Sequence, residues 1–200
     1  VDFDGKKAEV KKQNPVAEAG EASALLGVMD GDQVLGSPQA PVPFVEFGDF
    51  QCPFCGRFYS STEKQLIDKY VKIGKVKFIW RDFAFLGQES FDAAVAARCA
   101  GEQGKFWEYH NYLFENQRGE NEGAFSVLNL KNFAKTLNLD AAQFNSCIDS
   151  QKYLSVVESE TELGRQLGVD GTPSSFINGV HIIGAVPFAQ FEQAILDALK

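Results

Sequence analysis

At Cys52 the chain changes its hydrophobic period. Pro43 to Phe47 reads as a β-strand, and Gly48-Asp49-Phe50-Gln51 reads as a turn leading out of it. From Cys52 onward Cys55, Phe58, Tyr59, Leu66, Ile67 and Tyr70 recur near one face of a helix. Pro53 falls in the first helical turn, where its missing N–H leaves no hydrogen bond unmade. A Cys-x-x-Cys pair, Cys52-Pro53-Phe54-Cys55, thus straddles a junction of strand and helix. Val76 to Trp80 is the next strand, so strand, helix and strand make a βαβ unit with the usual right-handed crossover.

The remainder divides into two patterns. Residues 90–168 carry helical spacing almost throughout, with Phe91, Val95 and Cys99 on one segment and Phe106, His110, Leu113 and Phe114 on another. Asp140 and Gln143 suit a capping box, and a longer helix ends at Gly168. After Asp170-Gly171-Thr172-Pro173 the strand pattern returns, and Asn178-Gly179 between two β-rich runs is a strong hairpin signal. Phe188, Phe191, Ile195 and Leu199 then give a closing amphipathic helix. The expected architecture is α/β, a small sheet flanked by helices and interrupted by a helical block. Residues 1–40 form a flexible leader with a short edge strand near Gln33 to Leu35; 41–86 and 169–200 form the sheet domain; 87–168 form an all-helical insertion.

The position of the cysteine pair carries the chemistry. A sulfur at a helix start faces unpaired backbone N–H groups and the positive end of the helix dipole, which favour a thiolate. Cys52 is therefore the expected nucleophile. Cys55, about one turn further and less exposed, is the expected resolving thiol with the higher pKa. A structural zinc site needs about four ligands and the chain has no second such pair, so no metal is expected. The two histidines, His110 and His181, read as structural or surface groups. Glu46 sits within an apolar strand. Buried, it has a raised pKa and relays a proton to or from Cys55; on an edge strand it is a solvated charge. Pro173 alone reads as an ordinary turn proline, and Asp49 as a turn residue.

Composition narrows the partners. A net charge of -8 disfavours nucleic acid and anionic membrane, which repel an acidic surface. No stretch approaches the roughly 18 consecutive apolar residues of a membrane span, so the chain reads as soluble. A first residue of Val1 fits a cleaved signal or a removed membrane anchor equally well.

Val45-Glu46-Phe47 leading to Asp49-Phe50 and Cys52-Pro53-Phe54-Cys55, then Ala96 to Ala100 with Gly104-Lys105-Phe106-Trp107, and last Gly168-Val169 through Gly171-Thr172-Pro173 with Phe176, together resemble the DsbA-like thiol–disulfide oxidoreductases over about residues 38–200. The resemblance implies a thioredoxin-like fold with an inserted all-helical domain. It implies a cis-proline at Pro173 with Thr172 before it, beside the sulfurs, and matches Glu46 to the family's buried acid. It further implies a monomer without cofactor, in a bacterial periplasm or tethered at the cell surface. Such a protein passes its Cys52–Cys55 disulfide to reduced or unfolded secreted polypeptides and is reoxidised by a quinone-linked membrane protein. Phe50, Pro53 and Phe54 are the expected lining of a substrate groove.

Some relatives carry a second disulfide in the helical insertion. Cys99 and Cys147 are then either two buried small apolar side chains or a bridge pinning two insertion helices, and an oxidising compartment favours the bridge. One departure bears on direction. Phe54 stands where strongly oxidising relatives carry a histidine, so the potential is expected to be lower than theirs. The weakly patterned leader supplies no dimerisation domain, which argues against an isomerase. The rival functions are an extracytoplasmic disulfide reductase of the same fold and a redox-inactive binding or chaperone domain.

Overall fold

The computed structural model describes residues 26–200. The proposed leader is described from Leu26 onward, and the rest of it lies outside the described residues. Five strands form one mixed sheet: β1 (Gln33–Leu35), β2 (Val42–Gly48), β3 (Val76–Asp82), β4 (Ser174–Ile177) and β5 (Val180–Ile183), in the order β1-β3-β2-β4-β5. β2 and β3 run parallel, and the other neighbours are antiparallel. β2 is therefore central, with Glu46 between Trp80 of β3 and Ser175 of β4. This excludes the edge-strand reading of Glu46.

The crossover from β2 to β3 is one helical run, α1. It is built of the segments Pro53–Phe58, Tyr59–Glu63, Lys64–Leu66 and Ile67–Val71, the second and fourth wound as π-helix. Five helices lie between β3 and β4: α2 (Gln88–Gly101), α3 (Phe106–Glu115), α4 (Val127–Thr136), α5 (Ala141–Asp149) and α6 (Leu154–Gln166). α7 (Phe188–Ala198) closes the chain. The longest break among these helices is residues 116–126, a polar and glycine-bearing loop. The turn from β4 to β5 is the expected hairpin, with Asn178 and Gly179 both at positive φ, 47° and 86°.

Because side chains alternate along a strand, the sheet has two apolar faces. Phe44 and Phe78 on one face meet Phe58 of α1 and Phe191 of α7. Val45, Phe47, Ile79 and Phe176 on the other meet Phe83, Val169 and Leu163. α6 approaches that second face closely because it presents Gly164, where a Cβ would stand 2.6 Å from the Phe83 ring. A third core fills the helical block and reaches Phe50, Cys52, Cys55, Tyr59 and Trp80. The cysteine pair thus sits where the sheet domain meets the helices.

A buried ion cluster ties the helical block to the sheet. Arg98 of α2 donates to Asp82 of β3 and to Glu160 of α6, each at 2.5 Å, and Glu160 also accepts from the Asp82 backbone N–H at 2.7 Å. All three side chains are buried, so each charge depends on the others for the solvation that water would supply. Cys99, the residue after Arg98, is bonded to Cys147, joining α2 to α5 with a Cα separation of 5.8 Å.

Candidate active site

Cys52 is the N-cap of α1, in extended conformation with φ -67° and ψ 120°, and Pro53 takes the first helical position. The turn before it is held by Cys52 N–H donating to the Asp49 carbonyl at 3.0 Å, and the helix begins with Gly56 N–H donating to the Cys52 carbonyl at 3.1 Å. The sulfur of Cys52 is pulled down from 9.0 to about 6. The largest cause is the hydrogen bond from the Cys55 thiol; burial opposes it; Thr172 and the backbone N–H groups of Cys55 and Phe54 add to the lowering. Cys55 is fully buried, and its thiol is pushed well up by burial first, then by the bond to Cys52 and by the negative charges of Cys52 and Glu46. The two sulfurs are free thiols here and chemically unequal.

Thr172 and Pro173 approach from the loop before β4. Their peptide bond is cis. As a thiol, Cys52 donates to the Thr172 carbonyl at 3.3 Å. Thr172 also has a buried hydroxyl with no partner, which is the donor it can turn to the thiolate. Glu46, buried in the middle of β2, leaves its Oε2 without a partner and has its carboxyl pushed well up by burial, then by Glu63 and Cys52.

The proposed groove residues separate. Phe54 is exposed, with the Arg57 guanidinium 5.0 Å from its ring centre, and Pro53 beside it is exposed too. Phe50 is not a groove residue: it is 1% exposed, stacked on Trp80 at 4.7 Å and in contact with His110 and Phe114. Its ring faces inward because α3 offers an aromatic surface next to the turn, and burial of so large an apolar side chain outweighs exposure.

Several site residues were not apparent in the sequence. Asp49 is more than a turn residue: its carboxylate accepts from the backbone N–H groups of Gln51, Phe85 and Leu86 and from the Ser90 hydroxyl. Gln117 donates to the carbonyls of Phe50 at 2.6 Å and Cys52 at 3.1 Å, and Asn121 N–H donates to the Gln51 side chain at 2.6 Å. The loop 116–126 therefore clamps the turn that carries Cys52. The only hint was the loss of apolar spacing there. Glu63 is buried and its charge acts on Glu46, and it could have been found from its place four residues after Tyr59, on the same helical face. The two histidines have no part in the sulfur geometry: His181 stacks on Phe176 at 4.2 Å, and His110 lies among aromatic rings. Among the described residues no group of three or more His, Cys, Asp or Glu side chains could hold a metal ion.

The family model for thioredoxin matches residues 29–197. The probable disulfide bond formation protein D of Bacillus anthracis is 30% identical over 151 residues, which is 74% of this chain and 70% of that protein. A sodium/proton antiporter, NhaA 1, of Salinispora arenicola is 30% identical over 194 residues, 90% of this chain but 28% of that protein. This chain therefore spans less than a third of that relative. Among solved structures, oxidised BdbD from Bacillus subtilis superimposes with a TM-score of 0.81 at 27% identity, covering 87% of this chain and 96% of that one.

Proposed function

Since the chain belongs to the thioredoxin family, within its DsbA-like thiol–disulfide oxidoreductases, we propose that it donates the Cys52–Cys55 disulfide to reduced secreted proteins. A substrate thiolate attacks Cys52 Sγ, and the electron pair of the broken S–S bond leaves on Cys55. The protonated carboxyl of Glu46, whose field reaches Cys55, supplies the proton that makes Cys55 a thiol. A second substrate thiolate then attacks its partner sulfur in the mixed disulfide and expels Cys52 as a thiolate. Two electrons pass from substrate to enzyme. The substrate loses two protons, one matched by the Cys55 thiol and one released to solvent.

Each residue has a role in this scheme. The helix start and the Cys55 thiol stabilise the departing Cys52 thiolate. The Thr172 carbonyl, 3.3 Å from Cys52 Sγ, belongs to a backbone stretch with which an extended substrate segment can pair. Pro53 and Phe54 offer an exposed apolar edge next to the sulfur, which suits an unfolded chain. One chain supplies all of these groups, so a monomer suffices.

The observation that carries the reading is the inequality of the two sulfurs. A Cys52 that is thiolate at neutral pH stabilises the reduced pair, and a stabilised reduced form makes the disulfide an oxidant. The formed Cys99–Cys147 bridge suits an extracytoplasmic compartment, and among the described residues no helix is long and apolar enough to cross a membrane. Reoxidation then falls to a quinone-linked membrane protein.

Equilibration with glutathione tests the direction. A potential near or above about -150 mV supports donation, and one near about -270 mV makes the protein a reductase. Uncharged Phe54 between the cysteines favours the lower part of the donor range. A Cys52 that forms no mixed disulfide with a peptide thiol would leave only a binding domain.

A further inference from the structure

Next to Glu46, the acid whose charge reaches Cys55, lies a second buried acid that the exchange reaction does not require. Glu63 belongs to the π-wound stretch Tyr59–Glu63 of α1 and is 1% exposed. Its Oε2 has no hydrogen-bond partner, and neither has Oε2 of Glu46 nor Nε2 of His110. Glu63 Oε2 and His110 Nε2 stand 4.0 Å apart. Three elements thus each aim an unpartnered polar atom into the interior: β2 with Glu46, α1 with Glu63 and α3 with His110. Such atoms are rare in folded proteins because each forfeits its bonds to water, so a group of them beside a reactive pair is a functional arrangement before it is a structural one.

The charges around Glu63 leave it little relief. His110 is enclosed by Phe50, Trp80, Trp107 and Phe114, with Nδ1 on the Asn111 side chain, and burial keeps the ring neutral. Lys64, whose charge acts on Glu63, is turned over the face of Tyr59 at 4.9 Å. Tyr59 in turn donates to Glu115 at 2.9 Å. The titratable groups facing the pair are thus Cys52, Cys55, His110, Tyr59 with Glu115, and Lys64. The charge of Glu63 also acts directly on Glu46. Two carboxyls that interact in a dry interior do not both ionise, so they hold a proton between them.

We propose that Glu63 is a positioning residue for the exchange reaction, acting through Glu46: the two buried carboxyls share a proton, and Glu63 sets the pH at which Glu46 gives it to, or takes it from, Cys55. This rests on Cys52 and Cys55 being the exchanging pair. When a substrate thiolate opens the disulfide, Cys55 receives the S–S electron pair and the proton of Glu46. The second negative charge this leaves on the carboxyl pair is then neutralised by the proton that the substrate thiol lost. In the reverse direction Cys55 gives its proton to the pair that has lost its shared proton as it attacks the mixed disulfide. Protons and electrons balance in both directions with no further reactant.

The test is a single-turnover measurement on a preformed mixed disulfide between Cys52 and a small peptide thiol, following peptide release by Cys55 across pH. In the unmodified protein release rises with pH through an inflection set by the carboxyl pair. Glu63→Gln removes the second acid and moves that inflection down by about one pH unit, while Glu63→Asp retains an acid and stays close to the original profile. Glu46→Gln loses the inflection. Thermal melts check that each variant is folded, and loss of a buried acid in Glu63→Gln raises the melting temperature at pH 8 rather than lowering it. A Glu63→Gln profile that superimposes on the original overturns the proposal, as does an inflection that survives Glu46→Gln, and both leave the exchange reading intact. Failure of Cys52 to form the mixed disulfide overturns both.

Discussion

The reactivity of Cys52 toward a small neutral alkylating agent has a predicted shape as well as a predicted rate. With its sulfur near 6, half of Cys52 is thiolate at pH 6. A free cysteine, near 8.5, is ionised there to about 0.3%, which gives Cys52 an excess of about 160-fold in thiolate. The stabilised thiolate is a poorer nucleophile, and a Brønsted slope of about 0.45 across a gap of about 2.5 takes back about 13-fold. Cys52 is therefore about tenfold faster than a free cysteine at pH 6, is overtaken at about pH 7.4, and is about tenfold slower above about pH 10. Its side chain is only 5% exposed, which lowers the whole curve without moving its midpoint. Iodoacetamide labelling of the fully reduced Cys52–Cys55 pair, read by intact mass, measures this curve. Cys55 contributes little, since it is fully buried and its thiol is pushed up. A midpoint near 8.5, or a curve parallel to that of a free cysteine at every pH, refutes the helix-start argument.

Three further outcomes follow from the same coordinates. Cys99→Ala with Cys147→Ala opens a loop closed over 48 residues and costs about 4 kcal/mol in urea denaturation, with the Cys52 titration unchanged. Arg98→Met leaves Asp82 and Glu160 buried without their cation and costs about 3–5 kcal/mol by the same assay, a loss that shrinks at low pH as Glu160, whose carboxyl is pushed up by burial, protonates. Glu46 is held above its ordinary 4.5 in the folded protein, so its contribution is present below pH 4.5 and is lost as pH rises toward the folded value. Glu46→Gln lacks that loss, and its stability relative to the unmodified protein therefore grows between pH 4 and pH 8 in parallel thermal melts.

What could be read from the sequence was local. The hairpin at Asn178-Gly179 needs only positive φ at two adjacent residues, and both have it. The stop after α6 needs only Gly168, at φ 83°, and the start of α5 needs only Asp140 accepting from Gln143 N–H. Cys52 and Cys55 were equally plain, because a change of period and a proline at the first helical position fix where the helix begins. Phe50 went the other way. Next to an active-site turn an aromatic residue reads as a groove wall, yet its place is decided by Trp80, His110 and Phe114, thirty to sixty-four positions distant.

The same distinction separates the reactive sulfur from what holds it in place. Cys52 owes part of its acidity to groups within three residues, so its chemistry is written next to it. The turn that presents it is fixed from afar: Gln117 holds the Phe50 and Cys52 carbonyls, Asn121 and Ser90 hold Gln51, and Asp49 gathers the N–H groups that follow β3. A helix start aims a sulfur usefully only if the backbone before it cannot move, since reacting groups displaced by an ångström lose most of the advantage of proximity. The helical block is therefore part of the site, because residues on its first helix and on its one long loop immobilise the turn of the sheet domain. An insertion that served only to cover the substrate would have no need to hydrogen-bond the cysteine's own carbonyl.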